Sequence, residues 1–256
     1  SADITPKALT VTGAIAQNKP FDGNTNATIS GTLTGIISGD VVTLIGTGTF
    51  ASSAVANGVA VTSTSTLGGA SSGNYSLTQP TGLIANITPP ALLQWNTFGN
   101  AGTETTEPSV YNNVNVTAAN LTQGTITAAG NPNRFGGSGW FNTGNTAAGS
   151  TLTEAIAGND YVQFVVTPNS GYTFTATSFS FLWDFSGTGP RSVTLRSSAD
   201  GFASDLGTLN NLTASTSVFR TISITSLVNV STPTTFRLYG FGGTNTGGTG
   251  GFDTGV

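Results

Sequence analysis

The sequence predicts an all-β protein, and three observations lead to this prediction. Apolar and polar residues alternate with a period of two in many short runs, as they do in half-buried strands. Groups of Gly, Asn, Asp and Ser separate these runs and indicate tight turns. Helical periodicity is almost absent, and only residues 152–157 predict a short helix. Many short strands with closely spaced turns are typical of a β-sandwich, and a chain of 256 residues has room for two of them in series.

The predicted strands and turns follow one another along the whole chain. The clearest alternating runs predict strands at residues 8–12, 41–45, 59–62, 161–166 and 235–239. The turn signals between runs are Asp22-Gly23, Ser38-Gly39-Asp40, Asn57-Gly58 and Asn169-Ser170-Gly171. A further run places Phe179, Phe181, Trp183 and Phe185 at the same parity. Residues of one parity share one face of a strand, and we expect this face to belong to the core.

The composition fits a folded β-protein with an unusually neutral surface. Only 7% of the residues are charged, against roughly 25% in an ordinary soluble domain. Thr, Ser, Asn and Gly replace the missing charges, and these residues favour turns and disfavour helix interiors. Low charge also occurs in disordered chains. Because aromatic residues make up 9% of the chain and apolar runs recur throughout, we expect a packed core.

Several function classes are excluded or disfavoured by what the sequence lacks. It contains no Cys and no His, so disulfides, thiolate metal sites and the common catalytic triads are absent. The net charge is −4, and the seven Lys and Arg residues are scattered singly, so we expect no binding of nucleic acid. No run reaches the roughly 18 apolar residues that a membrane helix needs, and we expect no membrane insertion. We therefore predict a protein that is not an enzyme. A glycoside hydrolase built on two carboxylates is the alternative, with the candidates Glu104, Glu107, Glu154 and Asp184.

A repeated phrase marks the expected boundary between two domains. Asp3-Ile4-Thr5-Pro6 returns as Asn86-Ile87-Thr88-Pro89. An internal repeat of this kind indicates a joint between modules, although so short a match also arises by chance. Pro90 follows directly and stiffens the second joint, because proline fixes φ and restricts the residue before it. We expect one β-sandwich in residues 1–89 and another in residues 90–256.

Residues 3–89 resemble the YDG-type repeat of bacterial surface proteins and filamentous-haemagglutinin-like adhesins. The matching motifs are Ile4-Thr5-Pro6-Lys7-Ala8-Leu9-Thr10-Val11, Asn18-Lys19-Pro20-Phe21-Asp22-Gly23-Asn24-Thr25, Ser38-Gly39-Asp40-Val41-Val42-Thr43-Leu44, Gly73-Asn74-Tyr75-Ser76-Leu77 and Pro80-Thr81-Gly82-Leu83. Phe21 stands where the family usually has Tyr. The resemblance implies a tandem β-sandwich spacer on a large exported protein, and it implies no catalytic residues.

Residues 91–256 resemble a jelly-roll domain found near the C-terminal ends of exported bacterial proteins. The residues that carry this resemblance include Trp95-Asn96-Thr97-Phe98-Gly99-Asn100, Gly158-Asn159-Asp160-Tyr161-Val162-Gln163-Phe164, Ser186-Gly187-Thr188-Gly189-Pro190-Arg191, Ser198-Ala199-Asp200-Gly201-Phe202 and Phe236-Arg237-Leu238-Tyr239-Gly240-Phe241. The resemblance implies a jelly-roll-like second β-sandwich. Such domains usually continue into one more strand after Phe252-Asp253, so we expect a strand that is cut short or supplied by a neighbour.

Two groups of residues are candidates for ligand binding. Trp140 and Phe141 lie in a Gly-rich segment and could stack on a sugar, or they could form a lid of rings over the end of the sandwich. Arg237 and Tyr239 lie on the opposite strand face from their apolar neighbours and could line a concave sheet or pack beneath a partner. For calcium, the one cofactor that the sequence suggests, the candidate ligands are Asp160, Asp200, Asp205 and Asp253, assembled from separate loops because no EF-hand loop is present.

These observations predict a non-catalytic structural or adhesive element, either a stalk or a fibre, on the extracellular surface of a bacterium. The expected partners are neighbouring modules of the same surface protein or further copies of the chain. A carbohydrate-binding module in residues 91–256, with glycans as partners, is one alternative. The other is a self-assembling fibre subunit that accepts a strand from its neighbour, because an incomplete jelly roll exposes an unpaired edge.

Overall fold

The computed structural model describes residues 5–140, 149–214 and 218–253. The chain divides into two compact units, Ser1–Pro90 (unit 1) and Ala91–Val256 (unit 2). About half of the described residues lie in strands, and the one α-helix among them is short. The prediction of an all-β protein is confirmed. None of the helices in the described residues is long and apolar enough to cross a membrane.

Unit 1 consists of short strands and one turn of 3-10 helix at Ser72–Asn74. Its strands are β1 Lys7–Ala16, β2 Lys19–Pro20, β3 Asn26–Thr34, β4 Thr43–Ile45, β5 Thr47–Phe50, β6 Ala56–Ser63, β7 Thr66–Gly68, β8 Tyr75–Leu77 and β9 Leu83–Thr88. Seven of them form one sheet in the order β2-β9-β6-β5-β3-β1-β8, and β4 pairs separately with β7.

The large sheet of unit 1 bends back on itself. The first residues of β3 pair with β5, whereas its last residues pair with β1. Strand β1 also approaches β9, which is not its neighbour in the sheet. A bulge at Gly13, whose φ is +64°, bends β1 and makes this approach possible, because an extra residue kinks a strand. Most strands of unit 1 thus belong to one bent sheet, while β4 and β7 form a separate pair.

Alternate residues of the strands supply the core of unit 1, as a period of two requires. In β9, for example, the buried side chains are those of Leu83, Ala85 and Ile87. The other core residues are Ala27, Ile29, Phe50 and Val61.

One turn prediction in unit 1 is wrong. Asn57-Gly58 lies inside β6, where the pairing register with β9 shifts, and Gly58 has φ +64°. The Gly58 amide donates to Asn86 Oδ1 at 2.8 Å. The left-handed residue therefore makes a bulge within a continuous strand and not a turn between two strands. The turns at residues 38–40 and 169–171 are confirmed.

Unit 2 contains the remaining strands and the helix α1 Leu152–Gly158. Its strands are β10 Leu93–Gln94, β11 Thr106–Pro108, β12 Tyr111–Asn112, β13 Asn120–Gln123, β14 Thr127–Ala128, β15 Arg134–Ser138, β16 Tyr161–Val166, β17 Phe174–Phe185, β18 Ser192–Ser197, β19 Gly207–Leu209, β20 Val218–Val230, β21 Thr234–Phe241 and β22 Gly250–Asp253. The two main sheets have the orders β11-β13-β16-β21-β18-β19 and β14-β15-β22-β17-β20.

The two sheets of unit 2 face each other across one aromatic core. Phe181, Trp183 and Phe185 of β17 are almost fully buried, and Phe179 packs beside them. From the other sheet, Phe164 approaches Phe179 with ring centroids 5.1 Å apart. The prediction that these four residues of β17 form a core face is confirmed.

The short helix α1 occupies the segment that the sequence indicated, residues 152–157 and one more. Thr151 Oγ1 accepts a hydrogen bond from the Glu154 amide, and Glu154 Oε2 accepts one from the Thr151 amide. This capping box satisfies two amides that the first turn leaves without partners. Asn159 ends the helix in the left-handed conformation.

Candidate functional site

Trp140 does not offer a surface on which a sugar could stack. Its side chain is 1% exposed and contacts Trp183 edge to face, with ring centroids 5.5 Å apart. The indole Nε1 donates to the carbonyls of Gly137 and Gly250, at 2.8 and 3.2 Å. The predicted stacking role of Trp140 is therefore corrected to a core role, and Phe141 lies outside the described residues.

Gly240 of β21 provides room for the Trp140 ring. A Cβ atom at Gly240 would lie 2.5 Å from Trp140 Cε3, far inside van der Waals contact. Strand β21 can pass against the indole only because position 240 lacks a side chain. In the Gly-rich segment itself, Gly136 and Gly137 allow close approach of neighbouring backbone, because a Cβ atom would lie 2.3 Å from the Gly250 carbonyl oxygen and 1.9 Å from that of Thr127, respectively.

Arg237 lies on the outer face of the six-stranded sheet, as the alternation in β21 predicts. Its guanidinium carbon is 4.4 Å from the ring centroid of Tyr161 and 4.1 Å from that of Phe202. Its Nε donates to Gln163 Oε1 at 3.1 Å. A cation between two rings is stabilised by the negative faces of both. The rings of Tyr161 and Phe202 thus both contact Arg237 within the protein.

Tyr239 is also unavailable for stacking. It is 2% exposed and meets Tyr161 edge to face at 5.4 Å. Ala155 of α1 completes this small cluster, so the helix covers the outer face of the sheet at this point. Arg237 and Tyr239 do lie close together, with Arg237 Nη1 3.5 Å from the tyrosine hydroxyl, but they form a structural cluster.

The four aspartates suggested for calcium have separate local roles. Asp160 accepts from the Thr125 hydroxyl at 2.8 Å, and Asp205 pairs with Arg196 at 2.6 Å. Asp200 accepts from the amide of Ser204 at 2.9 Å and from that of Ala203 at 3.2 Å. Asp253 stands opposite Arg134 in the pairing of β15 with β22. Within residues 5–140, 149–214 and 218–253, no three metal-ligating side chains of the Asp, Glu, His or Cys type gather into one group.

The carboxylates considered for glycoside hydrolysis likewise bond to neighbouring groups. Glu107 accepts from Asn100 Nδ2 at 2.6 Å, and Asp184 pairs with Arg134. Burial raises the pKa of Glu104, but hydrogen bonds from backbone amides of its own turn outweigh this effect and lower the pKa below 4.5. Glu154 serves the cap of α1. An ionised carboxylate such as Glu104 is poorly suited to act as a general acid at neutral pH.

In unit 1, the Phe21-Asp22-Gly23 turn is held by Lys19. The Lys19 ammonium donates to Asp22 Oδ1 at 2.7 Å, to the Asn24 carbonyl at 2.8 Å and to Asn24 Oδ1 at 2.9 Å. It also lies 5.6 Å from the centroid of the Phe50 ring. Three donors of one lysine thus close the loop between β2 and β3, which makes this cluster a structural clasp.

A second clasp joins the Ser38-Gly39-Asp40 turn to β8. The Tyr75 hydroxyl donates to Asp40 Oδ2 at 2.5 Å and accepts from the Ile37 amide at 3.1 Å. The hydrogen bond to Asp40 raises the pKa of Tyr75 above 10.0. In both clasps, a polar side chain of a sequence motif holds a turn in place. The Lys19 ammonium and the Tyr75 hydroxyl satisfy hydrogen-bonding groups of the loop backbone and side chains.

The Lys19 clasp predicts an acid-sensitive contribution to the stability of unit 1. The hydrogen bond from Lys19 lowers the pKa of Asp22 below 3.8. A carboxylate whose pKa is lower in the folded state stabilises that state above its unfolded pKa, and this contribution is lost as the pH falls through the folded pKa. We expect acidification below about pH 4 to weaken the protection of the β3 amides, and Asp22→Asn to flatten this pH dependence.

Amide hydrogen exchange, corrected for the intrinsic effect of pH, measures this protection strand by strand. Lys19→Met removes the donor and serves as the matched control, so it should flatten the pH profile in the same way. An unchanged acid profile of unit 1 in both variants would contradict the assignment.

Comparison with known proteins identifies a family for part of unit 1. No curated protein matches the chain. The model of one protein family, the YDG domain, matches residues 5–82. This range contains both clasps and strands β1 to β8. Residues 5–82 are a YDG domain.

Proposed function

We propose that this chain is a non-catalytic structural or adhesive element of a bacterial surface protein. The YDG domain in residues 5–82 carries the proposal, because the sequence resemblance relates such domains to tandem spacers of exported adhesins. The polar side chains of its motifs hold turns, as Lys19 and Tyr75 do. A domain whose motif residues serve its own stability fits a spacer that carries other modules.

The sheet arrangement of unit 2 and the low charge of the chain support the same proposal. Its two facing sheets agree with the jelly-roll resemblance, and domains of that kind lie near the C-terminal ends of exported bacterial proteins. A neutral surface with only 7% charged residues over the whole chain weakens long-range repulsion between neighbouring molecules. Such a surface suits close contact with other modules or with a cell wall.

The pairing of two strands bears on the fibre alternative. Strand β1, the first strand of the chain, pairs with both β3 and β8 of its own unit. Strand β22, suggested as the edge of an incomplete sheet, lies between β15 and β17. Strand addition needs an unpaired strand or edge, and neither place supplies one. The stalk therefore stands as the preferred form of the structural role.

Surface exposure on the source bacterium tests this proposal. We expect brief protease treatment of intact cells to release peptides from both units, while a cytoplasmic marker protein stays intact. Antibodies against the chain should label unpermeabilised cells to the same extent as permeabilised ones. Peptides and labelling that appear only after lysis would contradict an extracellular role.

A further inference from the structure

A pocket in unit 2 lies at the end of the six-stranded sheet that is closest to the start of α1. It has a volume of about 510 Å³, within the range of roughly 300–1,000 Å³ that is typical of small-molecule sites. The start of β18, the end of β19 and the end of β21 meet there. The lining residues that matter for recognition are Ser150, Arg191, Asn210, Asn211, Phe241 and Thr244.

The floor of the pocket is held by backbone hydrogen bonds. The Gly242 amide donates to the Ser150 carbonyl, and the Ser150 amide donates to the Gly243 carbonyl, both at 2.8 Å. Gly242 has φ +79°, and a Cβ atom there would lie 2.9 Å from Arg191 Cγ. The stem of Arg191 therefore rests directly on bare backbone. A rigid floor reduces the ordering cost of binding.

Among the described residues, the Arg191 guanidinium has one hydrogen bond and one buried donor without a partner. Its Nη2 donates to the Gly187 carbonyl at 3.1 Å. Its Nε is buried and has no hydrogen-bond partner among the described residues. A guanidinium has five N–H donors, and a buried donor without an acceptor is costly. An acceptor that entered the pocket and drew the guanidinium towards it would relieve this cost.

The loop that follows β19 borders the same pocket with Asn210 and Asn211. Asn211 adopts a left-handed conformation with φ +54°, which Asn tolerates better than most residues. Its amide is bonded to Ser192 Oγ at 3.4 Å, and the next amide, that of Leu212, donates to the Arg191 carbonyl at 2.8 Å. These two bonds fix the loop beside the arginine, and the exposed Asn210 precedes them.

The chemistry of the lining selects the ligand class. Arg191 is the one charged residue of the lining, in a chain of net charge −4. Amide and hydroxyl groups of Asn210 and Thr244 can bond to sugar hydroxyls, and the half-buried Phe241 ring supplies an apolar surface. Thr151 also borders the pocket, but its hydroxyl is used in the cap of α1. We propose that this pocket binds an acidic saccharide, with the ligand carboxylate paired to Arg191.

This inference goes beyond the structural role and does not depend on it. The structural role proposed above does not require a glycan site. Loss of sugar binding would leave the surface exposure of the chain unchanged. The site also differs from the one that the sequence suggested, since neither Trp140 nor Arg237 lines it.

Binding of defined oligosaccharides to the full chain tests the proposal. We would compare sialyllactose with lactose, and glucuronate-terminated with glucose-terminated oligosaccharides, by isothermal titration calorimetry. We expect at least one acidic member to bind at least tenfold more tightly than its neutral partner, because a hydrogen bond to a charged group contributes more than a neutral one. Arg191→Met should weaken the acidic ligand about tenfold or more and remove the preference.

Two further variants keep the test decisive. Arg220→Met removes an arginine that does not line the pocket and should leave binding unchanged. Asn210→Ala changes an exposed lining residue and should weaken binding severalfold with the thermal transition preserved, even if Arg191→Met fails to fold. The proposal is overturned if no acidic oligosaccharide binds, if neutral partners bind equally well, or if folded Arg191→Met or Asn210→Ala protein keeps full affinity. Binding of only a peptide with a free C-terminal carboxylate would also overturn it.

Discussion

Trp140→Ala should lower the free energy of unfolding of unit 2 by about 4 kcal/mol, the range for removal of a fully buried aromatic side chain. The indole is 1% exposed, packs against Trp183 and donates to two carbonyls. Its removal leaves a cavity and two acceptors without their donor. Chemical denaturation followed by tryptophan fluorescence measures the effect, because all three tryptophans lie in unit 2.

Two variants separate the contributions of packing and hydrogen bonding at this position. Trp140→Phe keeps part of the ring contact but leaves the carbonyls of Gly137 and Gly250 unpaired, so we expect a loss of about 1–3 kcal/mol. Phe98→Ala changes a residue that is 74% exposed and should stay within about 0.5 kcal/mol of the original protein. A Trp140→Ala protein of unchanged stability would show that the indole is not a core side chain.

Arg134→Met should destabilise unit 2 by about 3 kcal/mol, whereas the double variant Arg134→Met, Asp184→Leu should lie close to the original protein. The two side chains form an ion pair and are only 13% and 17% exposed. Arg134 Nε and Asp184 Oδ1 are buried without hydrogen-bond partners among the described residues. Removing one partner leaves the other charge mostly buried and unpaired. Removing both eliminates two charged groups whose desolvation is costly.

A double-mutant cycle in a denaturant titration measures this coupling. The more exposed pair of Arg196 with Asp205, whose side chain is 37% exposed, is the matched control. We expect Arg196→Met to cost about 1 kcal/mol or less, because solvent screens such a pair. If the double variant were as unstable as Arg134→Met, the pair would contribute through packing and not through its charges.

The features that the sequence predicted correctly depend on neighbours along the chain. The alternation in β16 and β21 predicted strands, and that in β17 also assigned one face to the core, because successive side chains of a strand point to opposite sides. The helix at α1 was predicted from the residue types at positions 152–157, and the structure adds the capping box of Thr151 and Glu154 that begins it. The YDG motifs indicated turns at Asp22 and Asp40, since Gly and Asp favour such conformations wherever they occur.

The candidate sites depended on contacts between residues that are far apart in the chain, and there the sequence misled. Nothing near Trp140 indicates that Gly240 of β21 makes room for its ring. Asn57-Gly58 has the composition of a turn, and only pairing with β9 made it a bulge. The Arg191 pocket was missed for the same reason.

By itself, the sequence determined the all-β class, the short helix, the core face of β17 and the turns at Asp22 and Asp40, because each follows from local periodicity or local backbone preference. The tertiary structure decided which aromatic residues are hidden, which carboxylates are paired and where a polar pocket opens. Those outcomes depend on which strands become neighbours, and a ring or a charge is buried only when distant backbone and side chains close around it.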